Sequence, residues 1–355
     1  MPPLDHPINC RHSVELNKEK QKTEDSRPSN SNKNLLESVK AIFLEVTNYC
    51  NFRCHFCPLA ISKRPPEHMD TNLAKNLIQQ LHEAGYRGNL YFHLLGEPLL
   101  HPDIFEILRF ASKRNPRAIL FTNGSLLTQR NIKSLFNACP YELLISMQLA
   151  DEQTFSFRGS SMSWAQYISR IRDAVYYKLT HNTPTLLRIS VGIRKKDSLY
   201  PQDDYFPNVP PFRLRKNILN IFSDIPGLDT LWIEKLVNTM QIPFQGKLEL
   251  ASGLSISVKQ MGNWRRLYTG NEVNEGRCPH FGKELGILSN GSLVYCHLDY
   301  DGKTAFANAR RNKLQYIFQK PSLQREIEEF LTVGKVAKGC RHCIIPSKSK
   351  LQKEA

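Results

Sequence analysis

Cys50-Asn51-Phe52-Arg53-Cys54-His55-Phe56-Cys57 places three thiols within eight residues, and the next cysteine along the chain is Cys139. Cysteine thiolates hold iron–sulfur clusters, usually four to a cluster. A cubane gripped by only three keeps one iron open to another ligand. The alternative is a zinc knuckle that draws its fourth ligand from a distant segment. Immediately ahead lies Ala41-Ile42-Phe43-Leu44-Glu45-Val46, a short apolar run of the kind that forms a buried strand. The thiols therefore fall in the loop that follows a first strand.

Working outward, the apolar spacing predicts a helix over 72–84, ending near Gly85, and a strand over 90–95. A helix over 103–113 follows, with Pro102 and Asp103 as start signals. Next come a strand over 118–122, a helix over 128–137, a strand over 143–149, a helix over 164–179 and a strand over 186–193. A helix over 212–222 and a sixth strand over 230–233 complete the alternation. Alternating strands and helices predict an α/β fold with a parallel sheet. Spacing alone leaves a barrel and an open doubly wound sheet both admissible. The segment 195–211, rich in Pro, Asp and Tyr, reads as a long loop of the lid or binding type. Residues 1–38 are polar and read as a flexible extension. From about Leu250 the pattern changes to short strands and turns around cysteines, so a domain boundary is predicted at Lys247.

Short motifs stand where the strands end. Leu95-Gly96-Glu97-Pro98 follows the second strand, Thr122-Asn123-Gly124 the third, and Ile145-Ser146-Met147-Gln148 closes the fourth. Phe157-Arg158-Gly159 comes shortly after. Taken singly, Gly-Glu-Pro and Asn-Gly are ordinary turn formers. A second cysteine set comprises Cys278, Cys296, Cys340 and Cys343, with 17, 43 and 2 residues between successive members. Four thiolates suffice for one fully ligated cluster, and equally for a structural zinc. Cys10 and Cys139 fall outside both sets and read as bystanders.

With Phe56 as the aromatic residue before the third cysteine, the first set resembles the C-x3-C-x-aromatic-C motif of radical S-adenosylmethionine (SAM) enzymes. Gly96, Glu97 and Pro98 resemble that family's Gly-Gly-Glu-Pro motif, with Leu95 in place of the first glycine. The resemblance spans roughly residues 40–345. It implies a partial (β/α)6 TIM-type barrel over 39–247, with the active site at the C-terminal strand ends as in other α/β barrels. It implies SAM on the open iron of a [4Fe–4S] cluster bound by Cys50, Cys54 and Cys57. SAM contacts are implied for Phe56, Gly96, Glu97, Pro98, Asn123, Ser146, Gln148, Arg158 and Val191. Arg158 would pair with the SAM carboxylate, a geometry that suits guanidinium, and Val191 and Ile193 would either approach the adenine or, as the plainer role, pack in the core. The second cysteine set, with Gly291 ahead of Cys296 and with Asp299 and Ala307-Asn308 behind it, resembles the twitch form of the SPASM auxiliary domain. That assigns 248–345 to a small C-terminal domain with a second [4Fe–4S] cluster, followed by a basic tail, 346–355. Asp299, Tyr300 and Asp301 are the candidate catalytic groups, by their nearness in sequence to Cys296.

The 355-residue chain has a formal net charge of +15, which could draw nucleic acid, anionic lipid or an acidic substrate. Residues 310–355 carry eleven Lys or Arg against four Glu, without an accompanying nucleic-acid-binding signature. No apolar run approaches the ~18 residues of a membrane span, and the N-terminus lacks a signal-peptide core. The expectation is a cytoplasmic enzyme, a compartment in which disulfides are rare and cysteines more often serve metal or catalysis. The predicted reaction is hydrogen abstraction by a 5′-deoxyadenosyl radical and net oxidation or rearrangement of a small polar molecule or peptide. An electron donor such as flavodoxin or ferredoxin would be a partner. The rivals are a ribosomal-peptide maturase, an RNA-modifying enzyme and a non-catalytic zinc or Fe–S nucleic-acid-binding protein. His55, His93, His101 and the cluster Trp264, Arg265, Arg266 and Tyr268 are further candidates for contacts. For each, packing or surface exposure is the plainer role.

Overall fold

The structure, a computed structural model, describes residues 35–115, 117–181, 183–194, 206–240, 246–268, 270 and 272–343. Most of the predicted N-terminal extension, the segment 195–205 of the predicted lid, and the basic tail lie outside the described residues. Residues 35–38 of that extension form a short helix, α1 (Leu35–Ser38), and Leu36 is buried in the core.

The alternation is present. Strands β1 (Ala41–Leu44), β2 (Asn89–Phe92), β3 (Ala118–Thr122), β4 (Glu142–Gln148) and β5 (Leu186–Arg194) alternate with α2 (Thr71–Glu83), α3 (Ile104–Ser112), α4 (Gln129–Ala138) and α5 (Trp164–Thr180). Each helix has a local reason to exist. Asp70 caps α2 by accepting from Leu73 N at 2.8 Å, and Ala74, Leu77, Ile78 and Leu81 make its buried stripe. Thr128 caps α4, and a Ser163–Gln166 capping box starts α5.

After β5 come α6 (Pro211–Phe222), α7 (Thr230–Thr239), β6 (Gly246–Ala251) and β7 (Leu254–Met261). The expected sixth strand over 230–233 is therefore corrected: those residues open α7. Asp229 caps that helix, accepting from Trp232 N at 3.0 Å, and Ile233 and Val237 are its buried residues. The helical i, i+4 period outweighs the strand-like look of Thr-Leu-Trp-Ile. The strand that pairs in parallel with β5 is β7, in register from Leu187↔Leu254 to Arg194↔Met261. Because β6 and β7 belong to the barrel sheet, we propose that the domain boundary falls after Met261 rather than at Lys247.

The C-terminal segment adds β8 (Glu284–Ile287), β9 (Ser292–Val294), β10 (Ala307–Asn308), α8 (Leu314–Phe318) and α9 (Pro321–Val333). It extends the same sheet from the opposite edge, because β8 pairs in parallel with β1. The strand order is β10-β9-β8-β1-β2-β3-β4-β5-β7-β6. Lys259 on β7 lies with its Nζ 5.4 Å from the centroid of Phe121 on β3. Three strand steps in a flat sheet would separate these strands by about 14 Å, so the sheet curls into a partial barrel. Strand parity then sorts its two faces. On β5, Leu187, Ile189, Val191 and Ile193 join the main core cluster, while Arg188, Ser190 and Gly192 take the alternate, lumen-facing positions.

Glu45, just past β1, ties the two parts together. Its fully buried carboxylate accepts from Arg64 Nη1 and Nη2 at 2.7 and 2.6 Å, from Leu95 N at 3.2 Å, and from Ser289 N and Oγ at 3.0 Å each. Arg64 Nε donates to Tyr300 O at 2.8 Å. One ion pair thus joins the end of β1, the segment after the cysteine loop, the end of β2 and the C-terminal domain. No helix of the described residues is long and apolar enough to cross a membrane.

Candidate active site

Cys50, Cys54 and Cys57 lie in the loop after β1, at the C-terminal ends of the parallel strands. The loop is held from the far side of the barrel mouth. Arg53 N donates to Arg158 O and Gly159 O at 3.2 and 3.1 Å, and His55 N donates to Phe157 O at 2.9 Å. Gly159 has φ +54, and a Cβ there would meet Arg53 O at 2.4 Å, so a side chain would push the cysteine loop away. Burial raises the Cys50 thiol to about 11 and the Cys57 thiol to about 12, and raises Cys54 as well. Thiols in this setting give up their protons when a cation arrives, which couples metal loading to proton release.

The Gly-Glu-Pro segment locks neighbouring loops together. A Cβ on Gly96 would meet Thr47 O at 2.4 Å, so the backbone approaches too closely for any other residue. Glu97 N donates to Tyr49 O at 2.7 Å. The buried Glu97 carboxylate accepts from Thr122 Oγ1 at 2.7 Å, Asn123 N at 2.6 Å and Leu99 N at 3.1 Å. Burial nonetheless outweighs these bonds and holds its pKa above the usual range. The side chain is committed to holding β2 against β3, and only the backbone of Gly96-Glu97-Pro98 is placed to meet a ligand. Asn123 Nδ2 reaches Asn51 Oδ1 at 3.0 Å and Cys50 Sγ at 3.8 Å.

Arg158 is 2% exposed. Its guanidinium lies 4.9 Å from the Phe52 ring and 5.9 Å from the Phe56 ring. Its Nη2 donates to Asn123 O at a long 3.4 Å, and its buried Nε has no partner. A buried cation so weakly satisfied beside three thiols fits an anionic ligand at the mouth. Across the mouth a bulge in β4 puts Gln148 in the left-handed region, φ +59. Gln148 Nε2 donates to Ser146 Oγ at 2.5 Å, while the buried Oε1 has no partner. Phe56 packs on Phe206, ring centroids 5.1 Å apart, so the end of the predicted lid segment touches the cysteine loop. Parity turns Val191 into the helix-side core, away from the lumen, with Ile193 beside it.

Cys278, Cys296, Cys340 and Cys343 line one cavity, walled by Phe281, Tyr295 and Phe330. Burial raises Cys296 and Cys340 above an ordinary thiol. Four thiols lining one cavity can hold either a structural zinc or a cubane. Among the described residues, only His280, Glu284 and His297 bring three donor atoms all within 4.8 Å.

Of the three catalytic candidates beside Cys296, Asp299 and Asp301 have carboxylate oxygens engaged by the chain itself. The Asp299 carboxylate accepts from Tyr268 Oη, from Lys303 N at 3.0 Å, and from Thr304 N and Oγ1 at 2.7 Å each. Asp301 Oδ1 accepts from Ser62 Oγ at 2.8 Å and Lys63 N at 2.9 Å. Tyr300 packs with Phe43, Leu94 and Leu267 in a satellite core. The aromatic-basic cluster is a seam: Trp264 Nε1 donates to Leu298 O at 2.8 Å and Arg265 Nη1 to His55 O at 3.2 Å. His101 is a buried structural residue, with Nε2 2.8 Å from Met69 O. The side chain that does reach the barrel is His297, which sequence reasoning missed. It stacks on Phe43 with centroids 4.3 Å apart and sets Nδ1 2.6 Å from Glu284 Oε2. Its place next to Cys296 was the only signal. His93 also enters the lumen, stacked on Phe121. Burial, then the charges of His297 and Lys259, push it down to about 3, so its imidazole is neutral at pH 7.

A parallel partial barrel with three thiols at its mouth and four thiols in an appended domain defines a radical SAM architecture. Family models agree. Residues 44–193 match the radical SAM superfamily and residues 278–344 match an iron-sulfur cluster-binding domain, so the chain is a radical SAM protein with a SPASM-type C-terminal domain. It is 37% identical over 97 residues to an S-adenosyl-L-methionine-dependent 2-deoxy-scyllo-inosamine dehydrogenase from Niallia circulans, covering 26% of this chain and 39% of the relative. It is 34% identical over 127 residues to an AdoMet-dependent heme synthase from Methanosarcina barkeri, covering 35% and 36%. The chain thus spans less than two fifths of the length of these curated relatives. Among solved structures, Streptococcus suis SuiB bound to precursor peptide SuiA shares the fold, with 15% identity, a TM-score of 0.53, and coverage of 86% of this chain and 71% of that one.

Proposed function

We propose that this protein is a radical SAM enzyme that abstracts a hydrogen atom from a small polar molecule or a peptide, with net oxidation or rearrangement. The observation that carries this reading is the mouth of the barrel. Three half-buried thiols and an under-satisfied buried arginine converge there on a space held by Gly96 and Asn123. When bound, a [4Fe–4S] cluster and SAM supply an electron and, from the cleaved sulfonium, a 5′-deoxyadenosyl radical. The chain's own part is to bind, orient and enclose. Arg158 offers its guanidinium to the SAM carboxylate, and the rings of Tyr91, His93 and Phe121 keep water from the lumen.

The auxiliary thiols support an oxidation in particular, because His297, the neighbour of Cys296, enters the lumen directly. A second cluster would thus stand beside the substrate space. An electron donor of the flavodoxin or ferredoxin type and a cytoplasmic setting belong to the same proposal. The test is anaerobic: cluster-loaded protein, dithionite and SAM should yield 5′-deoxyadenosine, and its absence from fully loaded protein would overturn the proposal. At the residue level, Arg158→Met should weaken SAM binding about 10- to 100-fold, corresponding to ~1.5–3 kcal/mol for a charged hydrogen bond. Titration of SAM into the loaded variant reads this directly.

A further inference from the structure

Below the mouth, the inner faces of β4, β5 and β7 carry a group of polar atoms that SAM binding does not use. On β5 and β7 the register sets Arg188 beside Ser255, Ser190 beside Ser257 and Gly192 beside Lys259. The lower charges are paired: Arg188 Nε and Nη2 each donate to Glu142 at 2.5 Å. Lys259 is not paired. Among the described residues its ammonium has no carboxylate or hydrogen-bond partner, only the Phe121 ring. Burial, then the charge of Arg188, depresses its pKa. Its neighbour His93 is neutral and adds no second positive charge.

Two more atoms nearby lack partners. Ser190 Oγ and Gln148 Oε1 are both buried and unsatisfied. Gly192 lets side chains close in on β5: a Cβ there would lie 3.1 Å from Gln148 Oε1, 2.6 Å from Met261 Cγ and 2.7 Å from Phe206 Cζ. A half-buried lone cation and two buried, orphaned polar atoms on adjoining inward positions are costly unless a ligand satisfies them.

Resting on the radical SAM reading, we propose that the lumen binds a substrate bearing an anionic group, a carboxylate or a phosphate. That group is held by Lys259, and Ser190 and Gln148 take the substrate's neighbouring polar groups. The Glu142–Arg188 pair closes the floor of the pocket, and Phe121 and His93 form its apolar wall.

Saturation-transfer NMR on the cluster-loaded, SAM-bound protein tests this with glutarate, methylphosphonate and the neutral glutaramide. The expected result is binding of one or both anions, at least tenfold weaker in Lys259→Gln and largely retained in Lys259→Arg, with glutaramide insensitive to either change. Whichever anion binds tighter identifies the group as carboxylate or phosphate. Should the glutamine variant fail to load, acetylation of Lys259 in the wild type, read by peptide mass, serves instead. Anions should slow it at least fivefold and glutaramide should not. Anion binding indifferent to Lys259, equal protection by glutaramide, or a Lys259 that never reacts would each overturn the proposal. Anion binding by a protein that forms no 5′-deoxyadenosine would spare this pocket and sink the radical reading.

Discussion

Replacing Cys50, Cys54 and Cys57 together by alanine should lower reductive SAM cleavage to less than about a thousandth of wild type, because the cofactor and not the protein supplies the reactive step. The loop itself should survive. Its hydrogen bonds to Phe157, Arg158 and Gly159 are made by backbone, and three half-buried thiols give way to three small apolar groups. Assay of 5′-deoxyadenosine, alongside circular dichroism to confirm the fold, separates lost chemistry from lost structure. Retained cleavage would place the SAM site elsewhere.

The second large effect concerns stability. Arg64→Met should cost about 3–5 kcal/mol, since it leaves the Glu45 carboxylate charged in the core without its cation. The carboxylate would keep its bonds from Leu95 N and from Ser289 N and Oγ, but these dipoles do not replace a bidentate guanidinium. Loss should not be confined to one domain, because Glu45 and Arg64 contact β1, the end of β2, Ser289 and Tyr300 together. The double variant Glu45→Gln/Arg64→Met should recover part of the loss, since it removes both charges. Anaerobic thermal unfolding of the three proteins measures the difference. A double variant no better than the single would show that the charge itself is not the cause.

Where chemistry is carried by contiguous residues, the sequence was informative. The Cys50–Cys57 loop, Gly96-Glu97-Pro98 and the four later cysteines stand on the elements assigned to them. The helices α2 to α5 were legible through caps and a 3.6-residue stripe. What escaped was long-range or depended on parity. Nothing local tells Leu254–Met261 to pair with β5 or Glu284–Ile287 to pair with β1. Asp229 made a helix of a segment whose β-branched and aromatic residues suggested a strand. Val191 lies on a strand that reaches the pocket, and one residue of parity decides that it packs in the core. Asp299 looked reactive beside Cys296, but the backbone of Lys303 and Thr304 uses up its oxygens. The pairing of His297 with Glu284, thirteen residues away, has no motif, and neither does the isolation of Lys259.

The central claim is that two thiol sets hold two iron–sulfur clusters around one barrel. Iron, acid-labile sulfide and zinc should be counted per chain in the anaerobic protein, in the Cys50/Cys54/Cys57→Ala variant and in a Cys278/Cys296/Cys340/Cys343→Ser variant. The account predicts about eight irons in the wild type and about four in each variant, with matching sulfide and negligible zinc. Stoichiometric zinc in either set, or an iron content that neither variant lowers, would contradict it.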